Sequence, residues 1–124
     1  MQLVKKILIG QDTFSVDYYD SEVQFSFYCS DKGIRQDITL SLKDSFPLFE
    51  LIDNKKTTYE DLSKIGIDKI QNLKDENKKY DYRYMIIFSN NCQKHYLVIY
   101  NFLEYRDYYS CHIYGIIEIA NETI

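Results

Sequence analysis

The residues of this chain best suited to chemistry lie in two short cysteine–histidine clusters. Cys92 and His95 have the spacing C-x-x-H, and Cys111 directly precedes His112. Thiolate and imidazole groups are ligands that zinc prefers, and a cysteine beside a basic imidazole is also a potential nucleophile. However, neighbouring residues of a strand point to opposite faces, so Cys111 and His112 do not both reach one site. We therefore predict no catalytic residue, no metal site and no cofactor.

Other common catalytic patterns are not found in the sequence. The chain has four glycines, and none of them belongs to a phosphate-binding loop. Acidic residues alternate with apolar ones, which places most carboxylates on solvent-facing strand surfaces rather than in a shared cleft. These observations favour a binding protein over an enzyme. The alternative is an enzyme or small-ligand-binding protein with a pocket between sheet and helices.

The three cysteines are odd in number and far apart, which argues against a disulfide framework. Cys29 and Cys111 fall on the apolar faces of predicted strands, where an unpaired cysteine behaves as a small hydrophobic residue. We predict three free thiols and hence a reducing compartment. No apolar run is long enough to span a membrane, and the first residues lack the pattern of a signal peptide. The sequence therefore predicts a cytoplasmic protein.

Tyrosine is unusually frequent, with 13 copies and no tryptophan. Tyrosine joins a large apolar body to a polar tip, so it suits both half-buried sheets and protein contact surfaces. Two interpretations stay open: cross-strand packing in a chain with AT-rich codon usage, or an aromatic contact surface with acidic residues at its rim. The candidate partner-binding residues are the tyrosines predicted to face outward and the acids near them: Tyr82, Tyr84, Tyr108, Tyr114, Asp81, Asp107 and Glu118.

The charge distribution limits the kind of partner. The formal net charge is −4, and no stripe of basic residues is available to follow a phosphate backbone. We therefore expect neither a nucleic acid nor a membrane as partner. A mildly acidic surface instead favours a basic protein.

Hydrophobic periodicity divides the chain into strands, then helices, then strands again. Alternation of apolar and polar residues in the first third predicts a meander of antiparallel strands joined by short turns. The predicted strands lie at 3–9, 13–18, 22–30, 34–42, 80–89, 94–102 and 107–119. The segment 94–102 is apolar on both faces, which is typical of a strand covered on both sides.

The middle of the chain carries helix signals. Ser45 is a potential cap for a short helix with Pro47 in its first turn, and Thr57 followed by Glu60 fits a capping box. We predict an α+β fold in one globular domain spanning 1–124. A mostly antiparallel sheet of about six or seven strands carries a helical insertion, at about 45–75, on one face.

The alternation also predicts which residues form the core. In the last strand, Ile113 and Ile117 are assigned to one face and Tyr114 to the other. The residues expected to be nearly fully buried are Phe25, Phe27, Ile38, Leu40, Ile99, Ile113 and Ile117.

For function, we expect a small intracellular protein that binds another protein and has no enzymatic activity. Small acidic chains of this character include bacterial immunity proteins that neutralise a cognate toxin and phage-encoded inhibitors of host defence. Such a protein acts by covering an active site or substrate groove, with complementary charge guiding the encounter.

Overall fold

The computed structural model of the protein describes residues 1–17, 22–29, 33–68, 70, 75–104, 106 and 108–121. In this part of the chain there are eight strands, two short α-helices and a 3-10 turn. The elements in chain order are β1 (Leu3–Lys6), β2 (Thr13–Asp17), β3 (Glu22–Tyr28), β4 (Arg35–Ser41), β5 (Phe46–Pro47), α1 (Phe49–Asp53), α2 (Tyr59–Lys64), the 3-10 turn (Lys79–Asp81), β6 (Arg83–Ser89), β7 (Lys94–Glu104) and β8 (Tyr108–Ile119). The predicted α+β fold is confirmed.

The main sheet is built around its last three strands. Its order is β1-β8-β7-β6-β5, and β2 also pairs with β8. Every pairing is antiparallel. All residues from Tyr96 to Phe102 are buried, so the prediction of a strand covered on both sides is confirmed for β7.

The hairpin of β3 and β4 covers one face of this sheet. Phe27 and Leu40 lie in the same core as Tyr96 and Tyr100 of β7, and the rings of Phe27 and Tyr96 meet edge to face at 4.9 Å. The Tyr100 hydroxyl donates a hydrogen bond of 2.7 Å to the carbonyl oxygen of Ser41. Burial raises the pKa of Tyr100 to about 12. The hairpin is therefore held by apolar contact and by a buried hydrogen bond.

The helical segment covers the other face, as predicted. Leu48, Leu62 and Ile67 are at most 1% exposed, and they share a core with Leu97 and Ile99 of β7. Neither helix exceeds six residues. Helices this short are marginal in isolation, so contact with the sheet must stabilise them.

The helix starts differ from the prediction. The cap of α2 is Thr58 rather than Thr57, because the Thr58 side chain accepts the hydrogen bond from the Asp61 amide. Ser45 caps no helix. Its hydroxyl donates to the Leu42 carbonyl at 2.6 Å and accepts from Arg83 at 2.6 Å, which ties the turn before β5 to the first residue of β6.

A bulge in β8 changes which residues face each core. Ile99 pairs with Gly115 and Tyr100 with Ile113, so Tyr114 is an extra residue in β8. Such a residue reverses the alternation that follows it. Ile113 therefore faces the hairpin and Ile117 faces the helices, and the prediction that they share a face is wrong.

The predicted core residues are mostly buried. Phe25, Phe27, Leu40, Ile99, Ile113 and Ile117 are each 7% exposed or less. Ile38 is only partly buried, because it lies near the edge of the core that the hairpin makes with the sheet.

The first strands do not form a simple meander. β3 and β4 pair in register from Glu22 with Ser41 to Tyr28 with Arg35. β2, however, pairs with β8, from Thr13 with His112 to Asp17 with Tyr108. The short connections predict that β2 pairs with β3. In the structure β2 pairs with the longer strand β8 instead.

The prediction of three free thiols is wrong. Cys29 and Cys92 form a disulfide, with Cα atoms 6.6 Å apart and a sequence separation of 63. Both are buried, and the bond joins the end of β3 to the turn between β6 and β7. Cys111 is free and buried, and burial raises the pKa of its thiol to about 12. A contact between residues so distant in sequence has no signature in their spacing.

We expect the disulfide to show in thiol titration and in stability. The denatured chain should expose one reactive thiol without reductant and three with it. Replacing Cys29 and Cys92 together by Ser should lower the free energy of unfolding by about 3–4 kcal/mol, because the cross-link closes a long loop of the unfolded chain. Cys111→Ala is the control, since it should remove the reactive thiol and keep the disulfide. Three thiols without reductant would contradict the bond.

The helical segment approaches β8 closely at Gly115. A Cβ atom built on Gly115 would overlap Cδ1 of Ile67, which is 1% exposed and has little room to move. We expect Gly115→Ala to lower the free energy of unfolding by about 1–3 kcal/mol, as overpacking does. In that background Ile67→Val, which removes the overlapping methyl group, should restore part of the loss in a denaturant titration.

Gly10→Ala is the matched control, since no atom lies within 4 Å of a Cβ built there. Its effect should stay within about 0.5 kcal/mol. Additive effects of Gly115→Ala and Ile67→Val would show that the two residues do not compete for space.

Candidate protein-binding surface

Two of the candidate partner-binding tyrosines lie in the core under the helices. Tyr82 is 5% exposed. Its ring meets that of half-buried Tyr114 edge to face at 5.0 Å. Burial, and to a smaller extent Tyr82, raises the pKa of Tyr114 to about 12. The prediction that both face outward is wrong, because the helical segment covers the face of the sheet on which they lie.

Tyr84 and Asp81 are more accessible. Tyr84 is half-buried on β6, and its ring lies 5.8 Å from that of Phe46. Burial and the charge of Glu50 raise the pKa of the Tyr84 phenol. Asp81 is exposed at the end of the 3-10 turn. These two candidates lie at the same end of β6.

The remaining candidates lie elsewhere. Tyr108 is 43% exposed at the start of β8. Glu118 is 8% exposed, and its carboxylate forms an ion pair of 3.0 Å with Lys94, so it is not a rim charge. Asp107 lies outside the described residues. The candidates therefore do not form one surface, and their role in binding a partner stays a prediction.

Among the described residues, a cluster of partly exposed aromatic side chains instead joins two segments that β5 and β6 bring together. We define the aromatic patch as Phe46, Phe49, Tyr80 and Tyr84. Phe46 and Tyr80 are each 56% exposed. The rings of Phe49 and Tyr80 meet edge to face at 5.0 Å. The Lys79 ammonium lies 4.7 Å from the centre of the Phe49 ring, a distance typical of a cation–π contact.

Acidic side chains lie near this patch: Glu50 acts on Tyr84, and Glu76 and Asp53 act on Lys79. We define the acidic rim as Glu50, Asp53, Glu76 and Asp81, all of which are exposed. The Glu76 carboxylate accepts a hydrogen bond from the Lys79 ammonium in an ion pair of 3.1 Å. This hydrogen bond is the main reason that the pKa of Lys79 is raised, and Asp53 adds to the effect. The patch thus combines apolar rings with a negative border.

Sequence reasoning found only Tyr84 and Asp81 of this surface. Phe46 and Phe49 fall in the predicted helical segment. Phe49 does begin α1, whereas Phe46 lies in β5 and is exposed there. Tyr80 was assigned to a strand, whereas it lies in the 3-10 turn. The nearest signal in sequence was Pro47, which favours a chain direction change beside Phe46.

The cysteine–histidine clusters do not converge. Cys92 is bonded to Cys29, and His95 lies 2.8 Å from the side-chain oxygen of Asn121. His112 shares a hydrogen bond of 3.1 Å with Ser110. In the described part of the chain, no three His, Cys, Asp or Glu side chains lie close enough together to hold a metal ion.

The clefts beside the β8 bulge and on the hairpin carry few converging polar groups. One of about 270 Å³ lies beside the β8 bulge and is lined in part by Lys6, Asp68 and Tyr114. The Lys6 ammonium already donates a hydrogen bond of 3.2 Å to the carbonyl oxygen of Gly66. This arrangement lacks the set of aligned polar groups that fixes a small ligand.

A second cleft lies on the hairpin and is lined in part by Ser26, Arg35 and Asp37. Asp37 accepts hydrogen bonds from Ser26 at 2.5 Å and from Arg35 at 2.9 Å. These bonds, that of Ser26 first, lower the pKa of the Asp37 carboxyl. Arg35 and Asp37 are 65% and 74% exposed, so the cluster is an ordinary surface ion pair.

None of the helices in the described residues is long and apolar enough to cross a membrane. No protein-family model, no curated protein and no solved structure matches the chain. The physical character of the surface is therefore the guide to function.

The core and surface tyrosines should respond differently to truncation. We expect Tyr82→Ala to lower the free energy of unfolding by about 3–5 kcal/mol, because it removes a buried ring from the helical face. Tyr108→Ala should change it by no more than about 0.5 kcal/mol, since that ring is partly in solvent. Chemical denaturation of both variants tests this. Equal losses would mean that Tyr82 is not a core residue.

Proposed function

We propose that this chain is a small non-enzymatic protein that binds another protein through the aromatic patch and the acidic rim. It would act as an inhibitor, in the manner of an immunity protein that neutralises a toxin or a phage-encoded protein that blocks host defence. The observation that carries the proposal is the aromatic patch itself. In this patch Phe46 and Tyr80 are each 56% exposed to solvent. Exposed apolar surface rimmed by polar groups marks contact sites.

The residue types of the patch fit a binding surface. Phenylalanine and tyrosine are enriched in the buried centres of protein interfaces, where they contribute most of the binding energy. The rings are already held in position by one another and by Lys79. Side chains fixed in this way lose less entropy on binding.

The charge of the rim supports a basic protein as partner. The four carboxylates of the rim are exposed. Glu50 acts on Tyr84, and Glu76 and Asp53 act on Lys79, whose ammonium lies over the Phe49 ring. The whole chain has a formal net charge of −4. Opposite charge on the partner would speed the encounter and set its orientation. The same acidity argues against a nucleic acid.

The arrangement of potential catalytic groups also favours binding over catalysis. The Cys92 thiol is consumed in a disulfide and the Cys111 thiol is buried with a raised pKa. A protonated, buried thiol is a poor nucleophile. His95 hydrogen-bonds to Asn121 and His112 to Ser110, so the two imidazoles do not share a site. The enzyme alternative gains no support from these positions.

The compartment in which the protein acts is part of this proposal. A cytoplasmic location was predicted from unpaired cysteines, and two of the three are paired. Disulfides persist in oxidising compartments. The bond therefore removes the cysteine argument for a reducing compartment, and thiol titration of protein isolated from its native source would show whether the bond forms where the protein acts.

Loss of binding in patch variants tests the proposal. The wild-type chain, a Phe46→Ser/Tyr80→Ser variant and a Tyr28→Ser control serve as baits. Tyr28 is 64% exposed on the hairpin, away from the patch. We expect wild type and control to retain the same protein in equal amount. In titration calorimetry the patch variant should bind that protein more weakly, by about 2 kcal/mol or more of binding free energy. Glu50→Lys should mainly slow association and change its salt dependence.

Two further results complete the test. The retained protein should lose its own activity in the complex, as expected if the chain is an inhibitor, and its gene should lie beside the gene for this chain. All baits must unfold at the same temperature, so that loss of binding is not loss of fold. Binding that survives the patch variant at full strength would refute the proposed surface.

A further inference from the structure

In the part of the chain that the structure describes, the outer edge of β6 is unpaired over most of its length. β5 pairs with β6 only at Arg83 and Tyr84, while β7 pairs with β6 along its whole length on the other side. Among the described residues, no strand pairs with the outer edge of β6 beyond Tyr84. Open edges of this kind offer backbone groups to a further strand.

The direction of the open backbone groups follows from two hydrogen bonds. The Tyr82 carbonyl accepts from the Leu48 amide at 3.0 Å, so it points to the β5 side. The Ser89 carbonyl accepts from the Gln93 amide at 2.7 Å, so it points to the β7 side. Successive residues of a strand point their backbone groups in alternate directions. Ile86 and Phe88 therefore direct their amides and carbonyls outward, into the open edge.

The side chains along this edge carry no charge. The five residues from Met85 to Ser89 are Met, Ile, Ile, Phe and Ser. Met85, Ile86 and Ile87 are half-buried and Phe88 is 43% exposed. Proteins usually protect an open edge with lysine, proline or an inward charge. The absence of such residues from Met85 to Ser89 indicates that the edge is covered when the protein functions.

We propose that β6 pairs antiparallel with β6 of a second copy of this chain, which joins the two main sheets into one. The strand is complementary to itself about Ile87. In that register Ile86 of each copy lies opposite Phe88 of the other, and each such pair exchanges both of its backbone hydrogen bonds. Ile87 lies opposite Ile87, and Met85 lies opposite Ser89. A two-fold axis at Ile87 thus satisfies all the outward groups of Ile86 and Phe88.

Side-chain contacts favour the same register. Ile86 lies on the helical face and Ile87 on the hairpin face of the sheet, so apolar pairs would form on both faces of the joint. Cross-strand pairs of β-branched and aromatic residues are favourable, and like charges would not meet. This two-sided apolar match to its own sequence is the reason to assign a second copy rather than an unrelated strand.

The pairing would leave the aromatic patch accessible. Phe46 and Tyr84 lie where β5 already occupies the edge, and Tyr80 precedes β6. A two-fold axis perpendicular to the joined sheet places both helical layers on one side. The dimer would thus present two copies of the patch, and its formation is independent of the patch's role.

Sedimentation equilibrium with edge variants tests the proposal. We expect the wild-type chain to reach twice its 14.9 kDa mass as its concentration rises. Phe88→Lys should raise the dissociation constant of the dimer by at least about tenfold, because it places a charge on the edge. Tyr28→Lys, a matched change at an exposed strand position of the hairpin, should leave it within about twofold. Phe46→Ser/Tyr80→Ser should also remain dimeric.

Amide hydrogen exchange of the wild-type chain provides a readout that does not depend on any variant. The amides of Ile86 and Phe88 should become more protected as concentration rises, while those of Met85 and Ile87, bonded to β7, should not change. A chain that is monomeric at all concentrations, or a dimer unaffected by Phe88→Lys, would overturn the proposal. So would protection of Ile86 and Phe88 that arises only when another protein binds, since its strand would then occupy the edge.

Discussion

The burial of β7 on both faces is the constraint on which the rest of the structure depends. From Tyr96 to Phe102 every residue is buried, and a strand with two apolar faces is stable only if a layer covers each of them. The chain supplies two unlike layers, a two-stranded hairpin and a pair of helices of at most six residues. Neither layer is stable alone, because isolated hairpins and short helices are marginal in water. Packing against β7 is therefore what forms both.

The two layers are attached by different means. The hairpin is joined to the sheet by the Cys29–Cys92 disulfide at one end and by the hydrogen bond from Tyr100 to the Ser41 carbonyl at the other. The helical layer relies on close apolar contact. The bulge in β8 places Gly115 under Ile67, and any side chain there would push the layer away from the sheet. A covalent bond thus secures one layer and the smallest residue allows the other to approach.

The candidate surface follows from how the chain passes between these layers. It leaves the hairpin at Ser41, turns around the edge of β6, and enters the helical layer through Phe46 and Pro47. Arg83 holds this crossing by hydrogen bonds of 2.6 Å to the Ser45 hydroxyl and 3.0 Å to its carbonyl. The crossing covers only the first residues of the β6 edge and exposes Phe46 beside Tyr84. The aromatic patch and the open edge therefore have one structural origin.

The sequence by itself determined the fold class and the strand positions, because both follow from local periodicity. Alternation located all the longer strands within about three residues of their ends, and the two apolar faces of 94–102 identified the central strand. It did not determine which residues face outward at 82, 114 and 118, because alternation separates the two faces of a strand but does not show that both faces are covered. It did not reveal that β2 pairs with β8 or that Cys29 meets Cys92. Those contacts join segments far apart in the chain, and only the packing of both layers on β7 brings them within reach.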